Sequence, residues 1–230
     1  MSDFVVSPAE PPMAQTPRDV VWKRGKIQLY RYPSQAAQRQ PLPYFMVPWL
    51  GISRPYILDM LPGHSMIEYL VKQGHEVYLL DWGIIAEEDK DLGLEDIVFK
   101  ILPRAIEEIL DVSQAPALNL NGFCLGGVIT NCYLGLTPDA PVQNYIAIVT
   151  PVDFDHGGLF KTWLGHEAFP TEQLVRQFGG VPTHMMGMGF KMLRPTGDAA
   201  AMSGLWLNLD KKDYIPVFKA MDRWANDFVG

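Results

Sequence analysis

Apolar residues fall into two alternating patterns along this chain, and the alternation predicts an architecture. Tyr44-Phe45-Met46-Val47, Glu76-Val77-Tyr78-Leu79-Leu80 and Asn144-Tyr145-Ile146-Ala147-Ile148-Val149 are short, nearly continuous apolar runs, the pattern of strands buried on both faces of a sheet. Between the first two, Met66, Ile67, Leu70 and Val71 make one helical face. It opens at a capping box, Ser65 with Glu68, and stops at Gly74, so residues 65–73 are a predicted helix. Ile97, Val98, Ile101, Leu102, Ala105, Ile106, Ile109 and Leu110 recur at helical spacing, with Pro103 expected to kink the run. Residues 117–121 read as a further strand and 125–136 as a helix of small and apolar residues. Strand and helix therefore alternate three times, which predicts an α/β fold with a mostly parallel, doubly wound sheet.

The two ends break this pattern. Residues 1–18 hold four prolines and no periodicity, the composition of a flexible leader. Residues 22–32 alternate enough for one or two strands, and the polar residues 34–40 look like a hairpin loop. After Asp155, glycines and the methionines Met185, Met186, Met188 and Met192 replace clean alternation. Short helices fit this region, with 171–178 and 216–227 the best candidates. The expected organisation is a leader at 1–18, an α/β core at 19–155 and a helical cap-like region at 156–230. A methionine-rich helical stretch is more often core than ligand surface, yet an insertion at this point usually covers the site, and pliable methionine suits a lid.

Composition narrows the function without naming it. At 230 residues and 48% apolar the chain buries a sizeable core as one domain, and its 20% charged residues are ordinary for a globular protein. A net charge of -7 with no cluster of Lys and Arg argues against a nucleic-acid partner. The longest uncharged run, between Asp111 and Asp139, is interrupted by polar residues and is expected to be core and not a membrane span. Met1-Ser2-Asp3 opens no basic-then-apolar signal, so a cytoplasmic location is expected. Of the two cysteines, Cys132 follows Cys124 by one helical stretch, about 12 Å on at 1.5 Å per residue, which is too far for a disulfide and leaves Cys132 as packing. No His/Cys pair has metal spacing, and no cofactor is expected.

The chemistry concentrates at Gly122-Phe123-Cys124-Leu125-Gly126, a G-x-C-x-G placed where a strand runs into a helix. This is the G-x-S-x-G nucleophile elbow with sulfur for oxygen: so tight a turn needs neighbours without side chains, supplied by Gly122 and Gly126. A cysteine beside glycines is more often packing than chemistry, but strand, turn and helix together favour a nucleophile. The helix beginning at Leu125 aims free backbone N–H groups and its positive end at the same point, which favours a thiolate and a nearby oxyanion. Other polar residues have blander readings. His156, His166 and His184 follow Cys124 without a motif, Asp153 suits turn-capping, Asp81 suits a loop hydrogen bond, His64 precedes the nucleophile, and His75 opens a strand and is expected to be structural.

At Pro55-Tyr56-Ile57-Leu58-Asp59, Gly74-His75-Glu76-Val77-Tyr78-Leu79-Leu80-Asp81-Trp82-Gly83, Gly122-Phe123-Cys124-Leu125-Gly126-Gly127 and Thr150-Pro151-Val152-Asp153-Phe154, the chain resembles the polyhydroxyalkanoate synthases. The short leader before Lys26-Ile27-Gln28-Leu29-Tyr30-Arg31-Tyr32 is similar to the synthases that work with a separate companion subunit. The resemblance implies an α/β-hydrolase fold and a Cys-His-Asp acyltransferase that polymerises 3-hydroxyacyl-coenzyme A on a growing polyester, as a homo-dimer or with the companion subunit, in the cytoplasm or on polyester granules. It implies oxyanion donors at the Leu125 N–H and on the loop after Val47, at Ile52 with Gly51 as its neighbour. The family's catalytic acid and histidine follow the cap-like insertion, so both are expected beyond Gly230, as are the late strands, and the chain alone is expected to be incomplete and weakly active or inactive. Two other classes stay open: a non-catalytic granule-associated or scaffold protein retaining the fold, and a cysteine-dependent thioesterase or hydrolase.

Overall fold

The computed structural model describes residues 12–158, 161, 171–178, 180–193, 195–211 and 213–227. Eight strands are present among them: β1 (Asp19–Arg24), β2 (Ile27–Tyr32), β3 (Tyr44–Val47), β4 (Asp59–Leu61), β5 (His64–Ser65), β6 (Val77–Asp81), β7 (Leu118–Phe123) and β8 (Val142–Ile148). Six form one sheet in the order β1-β2-β6-β3-β7-β8, and β4 pairs with β5. β3 runs parallel to β6 and β7, and β7 parallel to β8, while β1, β2 and β6 pair antiparallel in turn. The expected mostly parallel, doubly wound sheet is therefore present.

Strand periodicity decides which helix covers which face. Phe45 and Val47 of β3, Tyr78 and Leu80 of β6, and Leu118 and Leu120 of β7 point to one side, where they pack against Ile101, Ala105 and Ile109 and against Ile129 and Tyr133. Tyr44, Met46, Val77, Leu79 and Phe123 point to the other, where Ile67 and Val71 cover them. The covering helices are α1 (Met66–Lys72), the run of α2 (Leu94–Asp96) through α3 (Leu102–Ser113), and α4 (Leu125–Leu136). All residues of β3 and β6 are buried, which is why their sequences are apolar without alternation.

Several expectations change in detail. The strand at residues 22–32 is two strands, turning at Gly25 with φ 59°. Residues 34–40 are not a hairpin loop: β6 lies between β2 and β3, so this segment crosses over it, held by Gln35 N–H on Val71 O (2.9 Å) and Gln40 N–H on Gly74 O (2.9 Å). Ser65 does cap α1 by accepting from Glu68 N–H (2.9 Å), but the Glu68 carboxylate turns to Gly63 N–H (2.6 Å) and to Lys72, so the box closes only one way. Pro103 does not kink the long helix by itself; a π-helical turn, Ile97–Ile101, precedes it, and Pro103 falls in the first turn of α3 where a missing N–H costs nothing.

The remaining helices are α5 (Thr171–Phe178), α6 (Thr183–Leu193), α7 (Gly197–Leu207) and α8 (Tyr214–Asn226). α5 matches its expected bounds, and α8 starts two residues before the expected 216. The core reading of the methionines is corrected: α6 buries no residue, and Met188 and Met192 are exposed, because α1, α3 and α4 already cover the sheet. α8 does reach the core, with Ala220 packed against Met60 and Leu61. The leader reading is corrected for its last residues, while 1–11 lie outside the described residues. Buried Asp59 accepts from Thr16 N–H (3.1 Å), Thr16 Oγ1 (2.6 Å) and Ser65 Oγ (2.7 Å), and its carbonyl accepts from Ala14 N–H (2.8 Å). A carboxylate inside needs such partners, and satisfying it pins the chain ahead of β1. Among the described residues no helix is long and apolar enough to cross a membrane.

His75 has the structural role expected of it. It opens the approach to β6, its ring stands edge-on to Tyr44 at 5.9 Å, and burial holds its pKa below the ordinary 6.5. A lowered native pKa means the unfolded chain takes up a proton before the fold does, so this contribution to stability is complete above the unfolded value and is lost as pH falls through it. Thermal melts from about pH 7.5 to about pH 5 are expected to show wild type losing more stability than His75→Phe, which keeps the edge contact and removes the titration. Parallel losses in the two proteins would show that His75 does not titrate differently on folding.

Candidate active site

Cys124 lies between the last residue of β7 and the first of α4, at φ 50° and ψ −120°. A residue with a Cβ is held there only by its surroundings, at a cost of order 1–3 kcal/mol. Three backbone hydrogen bonds do the holding: Cys124 N–H donates to Ile148 O at the end of β8 (3.0 Å), and Cys124 O accepts from Gly127 N–H (2.9 Å) and Val128 N–H (3.2 Å) as the helix starts. Cys124 is half-buried, and Leu125 beside it is exposed. As the first residues of α4, Leu125 and Gly126 have N–H groups with no intrahelical acceptor.

Space explains the glycines. A Cβ on Gly122 would collide with Thr130 Oγ1 and with Gly127 Cα, and a Cβ on Gly126 would collide with the carbonyls of Val47 and Pro48. Gly126 thus admits the segment leaving β3 into direct contact with the elbow. That segment, residues 48–55, stays there through tryptophans. Trp82 Nε1 donates to Pro48 O (3.1 Å), Trp49 Nε1 donates to Ser53 O (2.8 Å), and the Trp49 ring stands edge-on to Phe123 (6.4 Å) and to Trp224 of α8 (5.7 Å). Ile52 sits half-buried within this loop, after Gly51 at φ 74°. The Ile52 loop and the start of α4 at Leu125 therefore meet at one edge of the sheet.

The other sequence candidates have structural partners. Asp81 accepts from Gly83 N–H (2.9 Å), the loop bond expected of it, and also pairs with Arg54 (2.6 Å). Asp153 caps its turn by accepting from Asp155 N–H (2.9 Å) and pairs with His156 Nδ1 (2.8 Å), both side chains being exposed. His64 and His184 are exposed, and His166 lies outside the described residues. Cys132 is half-buried against the cluster containing Ile129 and Tyr133, as packing requires. Sequence reasoning missed Thr130 and Thr150. Thr130 Oγ1 lies 2.9 Å from Gly126 O, and Thr150 occupies the space that a side chain on Gly127 would need. The third glycine, Gly127, was the available signal for a second close approach.

A cysteine at positive φ between a parallel strand and a helix, at the edge of a mostly parallel sheet flanked by two antiparallel strands, defines an α/β-hydrolase fold with sulfur at its elbow position. Among solved structures, a thioesterase domain from the curacin biosynthetic pathway matches 92% of this chain and 67% of its own at 11% identity and TM-score 0.46. A putative lipase from Acinetobacter baumannii AYE matches 70% and 53% at 16% identity and TM-score 0.44. No family model matches the chain. Curated relatives do: the poly(3-hydroxyalkanoate) polymerase subunit PhaC of Haloferax mediterranei is 30% identical over 228 residues, 98% of this chain and 46% of the relative. The subunit of the same name from Synechocystis sp. is 35% identical over 185 residues, 78% of this chain and 48% of the relative. That of Allochromatium vinosum is 32% identical over 219 residues, 92% and 60%. The chain belongs to the poly(3-hydroxyalkanoate) polymerase family, and it spans about half the length of the curated relatives it matches.

The packing at Gly126 generates a contrast within one helix. Gly126→Ala is expected to cost about 1–3 kcal/mol in urea denaturation, because the Val47 and Pro48 backbone must move. Gly135→Ala, at the exposed end of α4 where a Cβ meets nothing, is expected to be stabilising by up to about 1 kcal/mol through helix propensity. Equal effects at the two positions would mean that the loop does not press on the elbow.

Proposed function

We propose that this chain carries the acyl-accepting portion of a polyester-forming acyltransferase, with Cys124 as nucleophile and 3-hydroxyacyl-coenzyme A as donor. The observation that carries the reading is sulfur at the elbow. In the first step the Cys124 thiolate attacks the thioester carbonyl carbon; the carbon–sulfur bond to coenzyme A breaks, and coenzyme A leaves as a thiol once protonated. One thioester has become another, so the acyl group stays activated, which a serine ester would forfeit. The hydroxyl at the end of the growing polyester then attacks the cysteinyl thioester, forming an oxoester and returning the Cys124 thiol.

The Leu125 N–H, and the Ile52 N–H with Gly51 as its neighbour, are the proposed oxyanion donors in both steps. The second step also needs a base for the attacking hydroxyl, help worth about 10²- to 10⁴-fold. Among the described residues no hydrogen bond joins a histidine to Cys124, so we place the base and its acid partner in the part of the family that this chain does not match. Assembly as a homo-dimer or with a companion subunit, and a place in the cytoplasm at the surface of polyester granules, belong to the same reading.

Intact-mass measurement after mixing the chain with 3-hydroxybutyryl-coenzyme A tests it. Wild type and Cys132→Ala are expected to gain one acyl group, and Cys124→Ala none; the reverse pattern ends the assignment. Coenzyme A release is expected to stall near one equivalent per chain, with polymer appearing when the sequence is extended to the length of its relatives. Steady polymer formation by the 230 residues alone, lost in His156→Gln, would instead make the Asp153–His156 pair the base.

A further inference from the structure

The loop that carries Ile52 continues into Arg54, and Arg54 lines a cavity of about 320 Å³ at the junction of β2, β6, the segment before β1 and α8. Three guanidinium groups converge on it from distant parts of the chain, Arg18, Arg54 and Arg223, with Tyr30 and Tyr56 between them. Two carboxylates, Asp81 and Asp227, also line it, so three positive and two negative groups leave a net positive wall in a chain whose total charge is -7.

Both carboxylates are engaged by the protein itself. Asp81 takes Arg54 (2.6 Å) and the Gly83 N–H (2.9 Å), and Asp227 takes the Tyr56 hydroxyl (2.7 Å). The cations retain capacity. Arg54 Nε is buried with no hydrogen-bond partner among the described residues, and Arg18 spends one N–H on Tyr32 (3.0 Å) while its plane lies on the Tyr30 ring at 4.2 Å. Stacking of that kind fixes a guanidinium plane and leaves its edge donors available. The walls are fixed as well, since Trp224 Nε1 holds Arg54 O (2.9 Å) and the Tyr56–Asp227 bond ties α8 to the same loop.

We infer that this cavity binds a phosphate group of a small molecule and, on the reading of Cys124 given above, the phosphate-bearing end of the thioester carrier whose acyl end reaches the elbow. Planar donors in forks match phosphate oxygens two at a time, and a phosphate's charge and oxygens can engage all three arginines where a carboxylate has only two acceptors. The volume lies at the small end of ligand cavities, which suits a phosphate with its sugar and excludes the whole carrier. The connection to the elbow is the single loop 48–55: its first residues press on Gly126, and its last place Arg54 in this wall.

Calorimetric titration of the 230-residue chain with adenosine 3′,5′-bisphosphate, inorganic phosphate and uncharged adenosine tests the inference. One bisphosphate per chain is expected, adenosine is expected not to bind, and Arg18→Gln and Arg223→Gln are each expected to weaken the bisphosphate by roughly tenfold or more. Arg104→Gln, on the exposed face of α3, is expected to change nothing. Unchanged melting curves for the Arg18 and Arg223 variants separate lost binding from lost folding; Arg54 is left intact because its removal strands buried Asp81. If inorganic phosphate binds as tightly as the bisphosphate and with the same arginine dependence, the site takes free phosphate and the carrier assignment falls. Absence of saturation by either phosphate ligand, or equal binding by both arginine variants, overturns the site. These outcomes are independent of acylation: Cys124→Ala is expected to bind the bisphosphate as wild type does, so failure of the thiol chemistry and failure of this cavity are told apart.

Discussion

The absent side chain at Gly126 is the constraint on which the active edge depends. Only with no Cβ there can the carbonyls of Val47 and Pro48 lie against the first turn of α4. That approach brings the loop after β3 to the elbow, sets Trp49 against Phe123, and hands the loop on to Arg54 and α8. A methyl group at this point would push apart the two elements whose N–H groups we assign to a shared oxyanion. The strain of Cys124 at φ 50° is affordable for the same reason: the turn is clamped from β8 through Ile148, from α4 through Gly127 and Val128, and from β3 through this contact.

Buried polar groups at the sheet's edge are satisfied by segments distant in sequence, and this is how the periphery is fastened to the core. Asp59 draws in Thr16 and Ala14 from before β1, and Asp81 draws in Arg54. Tyr56 meets Asp227 from α8. Each pairing exchanges a desolvation cost for a hydrogen bond, so its net stabilisation is modest, but breaking one side leaves the other buried and unpaired. The fold therefore specifies where its ends go more strongly than it is stabilised by sending them there.

The chemistry proposed for Cys124 and the cavity at Arg54 share one mechanical element, residues 48–55. An acyl donor that touched both would be held at its two ends by a loop fixed by tryptophans rather than by a mobile segment. Positioning of that kind removes the need to order the donor at the moment of attack. The methionines of α6, exposed at Met188 and Met192, stand outside this arrangement.

Local pattern determined a great deal. The four-residue apolar run of β3, the Ser65 cap of α1, the bounds of α4 and of α5, and the elbow around Cys124 were all legible, because each rests on neighbours within a few residues: burial on both faces, one side-chain cap, glycines that permit one turn. The family was legible from ordered motifs that the curated relatives match. What sequence could not supply was everything set by strand order. β6 inserts between β2 and β3, so residues 34–40 cross over instead of forming a hairpin, and nothing within that segment encodes which strand comes alongside. The same holds for Thr150 filling the space above Gly127, for Thr16 fastened to Asp59 and for three arginines meeting around one cavity. Periodicity reports which face of an element is buried, whereas these contacts join residues tens of positions apart, and only the packed tertiary structure decides which distant residue fills the space a glycine leaves.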